Sequence, residues 1–295
     1  MAIPQLKIIG ERINPGFKSS LSLFENSDLK GIQELAKKQV ISGACALNIN
    51  IGDRALKDSK FMADVIRSVQ DVVAVPLSFD FPNKPVQENC LHVYDQTKAG
   101  GAKPIVNSIS ELRWEMLDLL KIRPFKLILM ASERVENDKI IANKTSDEVY
   151  ETTKRMIEKI LKTSHLITID DIIVDVSVGP VSSDTEDLTK MAIESIRKIG
   201  SDKDLKGVHM SVGLSNISIM LPNTGVDGLP LKPQVESAFL TMTVPYGLDF
   251  IIGTAGRNYE LLPEDNRVLK IMKEAMEIGG FDALMKIQEL YLIEN

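Results

Sequence analysis

The chain has 295 residues, 44% hydrophobic and 26% charged, enough to bury a full core as one large domain or two small ones. Its formal net charge is −6, with the basic residues dispersed, which argues against nucleic acid as the main partner because phosphate binding needs a basic footprint. No window approaches 18 uninterrupted apolar residues, and the opening MAIPQLKIIGERIN has no long apolar stretch, so a soluble cytoplasmic protein with no membrane contact is expected. Lys7–Ile13 reads as a first strand, turning at Asn14-Pro15-Gly16; Leu29–Ser42 follows at helical spacing with a stop at Gly43. Ala46–Ile51 is the second strand, Ser59–Gln70 a helix, Val75–Phe79 the third strand, and Pro85–Ala99 a helix closed by Gly100-Gly101. Pro104–Val106 centres a fourth strand; Ser110 reads as the N-cap of a helix over Glu111–Lys121, and Phe125–Met130 as the fifth strand. A long helix opens at Thr145-Ser146-Asp147-Glu148 and runs to about Leu161. Strands over Ile172–Val178, Val208–Gly213 and Leu248–Gly253 alternate with helices over Thr185–Ile199 and Lys232–Thr243, and Arg267–Glu277 and Asp282–Glu289 close the chain.

Eight strand–helix alternations without a linker predict an α/β fold, a closed (β/α)8 TIM barrel forming one domain over residues 1–295. The first turn has neither GxGxxG nor a P-loop, which speaks against a dinucleotide or nucleotide site there. In such a barrel every strand's carboxyl end faces one rim, where active sites are built. Four strands end in an acid or an amide: Asp80, Asn107, Asp175 and Asn216. Carboxylates accept from paired N–H donors and Asn offers both signs, so the set suits a heterocycle carrying an amino group, a ring N–H and a carbonyl, such as a pterin or purine. Each residue alone could instead cap a strand end or a following helix.

The segments ERIN (Glu11–Asn14), NINIG (Asn48–Gly52), SFD (Ser78–Asp80), VNSIS (Val106–Ser110), IVDVSV (Ile173–Val178) and GLSNISIMLPN (Gly213–Asn223) occur in order. Together they resemble the pterin-binding methyltransferase family, the methyltetrahydrofolate:corrinoid protein methyltransferases, a stand-alone barrel sharing its fold with dihydropteroate synthase. The resemblance implies that Asp80, Asn107 and Asp175 hold the pterin, that Asn216 hydrogen-bonds N5 of the folate as the catalytic residue, and that Gly213 and Ser215 shape its loop. Glu11, Asn14 and Asn48 are possible rim residues; for Glu11 an ion pair with an internal Arg is an equal alternative. The resemblance implies tetrahydrofolate or methyltetrahydrofolate as substrate, a corrinoid (cobalamin) carried by a separate partner protein, no protein-bound metal, and a homodimer. Methyl transfer at N5 needs its changing charge stabilised; an Asn can orient but not protonate, so the proton comes from water or a carboxylate.

The chain departs from the family at three places: Asn48-Ile49-Asn50 stands where the family has DxN, and Ile219 and Thr224 stand where it carries a polar residue and an Arg. The changes at Ile219 and Thr224 favour tetrahydrofolate as methyl acceptor. Alternatives are a dihydropteroate synthase-like enzyme, which would need a basic Ser-x-Arg-His-type motif after strand eight where GTAGRN stands, a non-catalytic folate-binding barrel, and a sugar-phosphate barrel. The loop Gly253–Asn258 reads as a tight turn rather than a phosphate site, the scattered His92, His165 and His209 and the free Cys45 and Cys90 as structural or surface groups, and Asp170-Asp171 as solvated.

Overall fold

The computed structural model describes residues 3–292; the ends of the expected 1–295 domain, residues 1–2 and 293–295, lie outside the described residues. Eight parallel strands form one sheet: β1 (Lys7–Ile13), β2 (Ala44–Ile49), β3 (Leu77–Asp80), β4 (Ile105–Ile109), β5 (Lys126–Met130), β6 (Ile172–Asp175), β7 (His209–Ser211) and β8 (Phe250–Gly253). β8 pairs with β1, and the seam between β7 and β8 is closed by Ile252 N–H donating to Val212 O at 3.0 Å, Leu214 N–H donating to Ile252 O at 2.9 Å and a parallel bridge between Gly213 and Ile252. The result is the expected (β/α)8 barrel.

Two apolar layers account for it. Ile9, Ala46, Ile105, Ile128, Ile173 and Phe250 point inward from six different strands and fill the barrel. The outward strand residues pack against helices whose apolar faces recur every three to four positions, as in Ser59–Gln70, where Phe61, Met62, Val65, Ile66 and Val69 are buried. Local chemistry sets the helix ends. Asp58 accepts from Phe61 N–H at 2.9 Å, and Thr145 and Glu148 form a reciprocal capping box opening Ser146–Thr163. Gly43, at φ 99°, ends Leu29–Ile41 in the left-handed conformation a side chain disfavours.

Four expectations need correction. The helix expected over Glu111–Lys121 is only a 3₁₀ stretch, Trp114–Lys121. Its would-be first turn is committed elsewhere: Glu111 accepts from Val135 N–H at 2.8 Å and Arg155 at 2.9 Å, and Arg113 reaches Ser108. The helix expected to reach Ala99 ends at Val93, where Tyr94 turns extended and is buried. The strand expected to reach Val178 stops at Asp175, because Asp175 Oδ1 accepts from Ser177 N–H at 2.8 Å in a turn with Ser177 at φ 61°. Asp171 is not solvated: it is buried at the amino-terminal end of β6, takes Lys103 Nζ at 2.8 Å on both oxygens and caps Thr168 N–H at 3.0 Å. Burial pushes its carboxyl up, but Lys103 and Thr168 outweigh that and hold it below the usual range. Asp170 is exposed, as expected.

An antiparallel hairpin of Glu133–Glu136 and Lys139–Ala142 after β5 was not anticipated. Among the described residues no helix is long and apolar enough to cross a membrane.

Candidate active site

Strand register brings the polar strand ends together. Asp80 on β3 lies level with Asn107 on β4, and Asp175 on β6 lies level with Met130 on β5 and Ser211 on β7. All four anticipated residues, Asp80, Asn107, Asp175 and Asn216, line one cavity of about 260 Å³ at the carboxyl rim, with Gly213 and the rim residues Glu11, Asn14 and Asn48.

The two aspartates are held differently. Asp80 Oδ2 accepts from Asn48 Nδ2 at 2.8 Å and from Asn50 Nδ2 at 3.4 Å, both presented by the end of β2. Burial raises its carboxyl above the ordinary range, and the two amides pull it back. A carboxylate at position 48 would face Asp80 as a like charge; the amide found there is a donor instead, which keeps Asp80 able to ionise. Asp175 accepts from Ser177 N–H and, at 3.3 Å, from Ser211 Oγ. Burial, together with the neighbouring charge of Asp80, outweighs these donors and pushes it up to about 6. Asn107 is buried and fixed through its backbone carbonyl, which accepts from Phe81 N–H at 3.2 Å and Gln87 Nε2 at 3.2 Å, leaving its side chain on the cavity wall.

Asn216 sits on a single helical turn, Ser215–Ser218, that follows β7 directly; its N–H donates to Gly213 O at 3.0 Å. Ser215 does not line the cavity but donates through Oγ to Glu11 Oε1 at 2.6 Å, and Thr254 Oγ1 donates to the same oxygen at 2.6 Å. Glu11 is therefore buried at the rim by hydroxyl donors, and no ion pair with an arginine is formed among the described residues. Asn14 accepts from Gly16 N–H at 2.8 Å while its side chain borders the cavity.

Gly213 has a steric reason. A Cβ there would lie 2.8 Å from Asn216 Nδ2, closer than real contacts allow. Gly213→Ala is expected to leave the fold intact but to push the Asn216 amide off its position, lowering turnover at least ~tenfold; a crystal structure of the variant with Asn216 unmoved would contradict this.

Sequence reasoning missed Asn50, Ser177 and Ser211, which fix the two aspartates, and Phe17 and Met130, which wall the cavity. Asn50 could have been found, since it stands two residues beyond Asn48 on the same face of an extended strand end. Two of the three departures lie outside the pocket lining: Ile219 is 60% exposed, and Thr224 pairs with Pro230 in an antiparallel bridge; the third, Asn48, lines it. The three histidines are dispersed. His209 opens β7 and contacts Asp249 at 2.6 Å, while His92 is exposed beside Glu88.

With the cavity at the carboxyl rim, a family model described as pterin binding enzyme matches residues 10–252, from β1 through β8, and the chain belongs to that family. Solved structures share the fold at low identity. Dihydropteroate synthase from Thermus thermophilus is 16% identical, with 96% of this chain and 94% of that one covered at a TM-score of 0.58. The Xanthomonas albilineans enzyme with 4-aminobenzoic acid is 15% identical, covering 97% and 95% at 0.59. The Coxiella burnetii enzyme in complex with pteroic acid is 16% identical, covering 94% and 96% at 0.60.

Proposed function

We propose that this pterin-binding enzyme moves a methyl group between N5 of tetrahydrofolate and a corrinoid carried by a separate protein. The observation that carries the reading over a synthase is the charge of the pocket. Its lining contains Glu11, Asp80 and Asp175 and, among the described residues, no Lys or Arg. A pterin enzyme that expels a phosphate-bearing leaving group needs cations beside it; a methyl transfer at a ring nitrogen does not. The one arginine of the loop after β8, Arg257, is turned to a salt bridge with Glu236.

The donors and acceptors fit a pterin. Asp80 and Asp175, as carboxylates, take the amino group and ring N–H; Asn107 complements the carbonyl edge with both signs of hydrogen bond. Asn216, on the turn after β7 and so across the barrel from Asp80 on β3, is left to face N5. Its amide stabilises the charge that changes there without exchanging a proton itself. Glu11, hydrogen-bonded to the neighbouring Ser215, is the carboxyl group tied to this turn on the cavity side, and water supplies or takes up the proton at N5. The corrinoid, when its protein docks, supplies the cobalt that accepts or gives the methyl group. Tetrahydrofolate as acceptor is the favoured direction, and the working form is a homodimer in the cytoplasm.

The test is spectroscopic: methylcobalamin with tetrahydrofolate, and cob(I)alamin with methyltetrahydrofolate, each with the pure protein. A change of cobalt state in at least one direction is expected. None in either, with tetrahydrofolate bound, would favour a non-catalytic folate-binding barrel; phosphate affinity without pterin affinity would favour a sugar-phosphate barrel.

A further inference from the structure

The turn that carries Asn216 is too short to hold itself. Ser215–Ser218 is four residues with no side-chain cap, and one turn of helix is unstable without outside contacts. It is held at both ends by hydroxyls that donate to buried carboxylates. Ser215 Oγ reaches Glu11 Oε1 at 2.6 Å, and Ser218 Oγ reaches Glu236 Oε1 at 2.5 Å. Glu236 comes from the helix Leu231–Thr243 and is 0% exposed. Arg257 donates to the same oxygen of Glu236, while Glu236 Oε2 and the nearby Tyr259 hydroxyl are buried without a partner among the described residues.

We infer that Glu236 and Arg257 are positioning residues that brace the Asn216 turn from behind, a role that rests on the reading of Asn216 given above. Two features separate this from ordinary core packing. A fully buried carboxylate with one unused oxygen is poor for stability, since its desolvation is incompletely offset and an apolar group of equal size would do as well. It does confer an orientation, because Ser218 and Arg257 converge on a single oxygen. The second feature is that the loop after β8 ties both anchors together: its Thr254 donates to Glu11 and its Arg257 to Glu236. The Asn216 turn is thus clamped between two carboxylates linked by the same few residues. Burial pushes Glu236 up from the usual carboxylate range while Arg257 and Ser218 pull it down.

The experiment uses the full chain. Glu236→Ala is expected to raise amide exchange in residues 216–221 about tenfold, to lower kcat by about 10–100-fold with KM for the folate within about threefold, and to cost little further in an Asn216→Ala background. Glu236→Gln, which keeps an acceptor for Ser218, should recover most of the loss. Ser218→Ala removes only the hydroxyl and serves if Glu236→Ala does not fold. Unchanged exchange in a folded variant, a loss falling on KM, or full additivity with Asn216→Ala would overturn the brace. If the wild-type protein moves no methyl group, the function fails by itself, and the exchange comparison still decides the brace.

Discussion

Replacing Asn216 with alanine is expected to slow methyl transfer by about 10²–10³ while weakening tetrahydrofolate binding no more than about tenfold. The larger figure is the usual loss when one preorganised donor to developing charge is removed, the smaller the net worth of one neutral hydrogen bond. The asymmetry follows from placement. Asp80, Asn107 and Asp175 come from β3, β4 and β6 and stay in position, whereas Asn216 stands on its own turn after β7. Stopped-flow absorbance of the cobalt centre, with binding measured separately by fluorescence titration, distinguishes the two. Equal losses in rate and affinity would make Asn216 a general binding residue.

Asp175→Asn should have opposite effects on binding and on stability. As a carboxylate, Asp175 offers two acceptors to adjacent N–H groups; as an amide it presents a donor to one of them, and pterin affinity should fall about 100-fold. The empty protein should become more stable. Burial raises this carboxyl from 3.8 to about 6, so its ionised form is the disfavoured one in the fold. The native state then holds the proton more tightly than the unfolded chain does. The penalty is absent below about pH 3.8, grows as pH rises to about 6 and is constant above it. At neutral pH it amounts to roughly 2–3 kcal/mol, which the amide removes. Denaturant titrations at about pH 7.5 and about pH 4 should show the variant ahead only at the higher pH; equal differences at both would mean Asp175 is not raised. In the unaltered protein, pterin affinity should fall as pH drops through about 6.

Much of this was legible in the sequence, for physical reasons. Apolar runs buried on both faces cannot alternate, so β3, β4, β5 and β6 stand out as short Val/Ile/Leu segments, and a polar residue closing such a run marks the rim. The side chains that tune the site were harder to see because they act across the barrel. Nothing near Asp175 in sequence announces Ser211, 36 positions away, nor does Asp80 announce Asn48, 32 positions away. Glu236 gave a usable sign, a lone acid amid Val235, Ala238, Phe239 and Leu240, yet its partner Arg257 lies in a loop read only as a turn. The hairpin over Glu133–Ala142, which turns at Asn137 and Asp138 with both at positive φ, was given no assignment, since its strands ERVE and KIIA do not alternate cleanly between apolar and polar residues. Asp171 misled because a carboxylate on the stability face reads as solvated until Lys103, 68 positions away, is seen against it.

The amides that β2 turns toward Asp80 make the two aspartates of the cavity unequal. Asp80 has two side-chain amide donors, while Asp175 has one hydroxyl and one backbone N–H and is pushed to about 6. Near that pH Asp175 is therefore partly protonated in the empty cavity, and an incoming ring that presents N–H groups to it displaces that proton. Filling the site becomes an acid-releasing event, and its calorimetric heat near that pH should change with the ionisation enthalpy of the buffer.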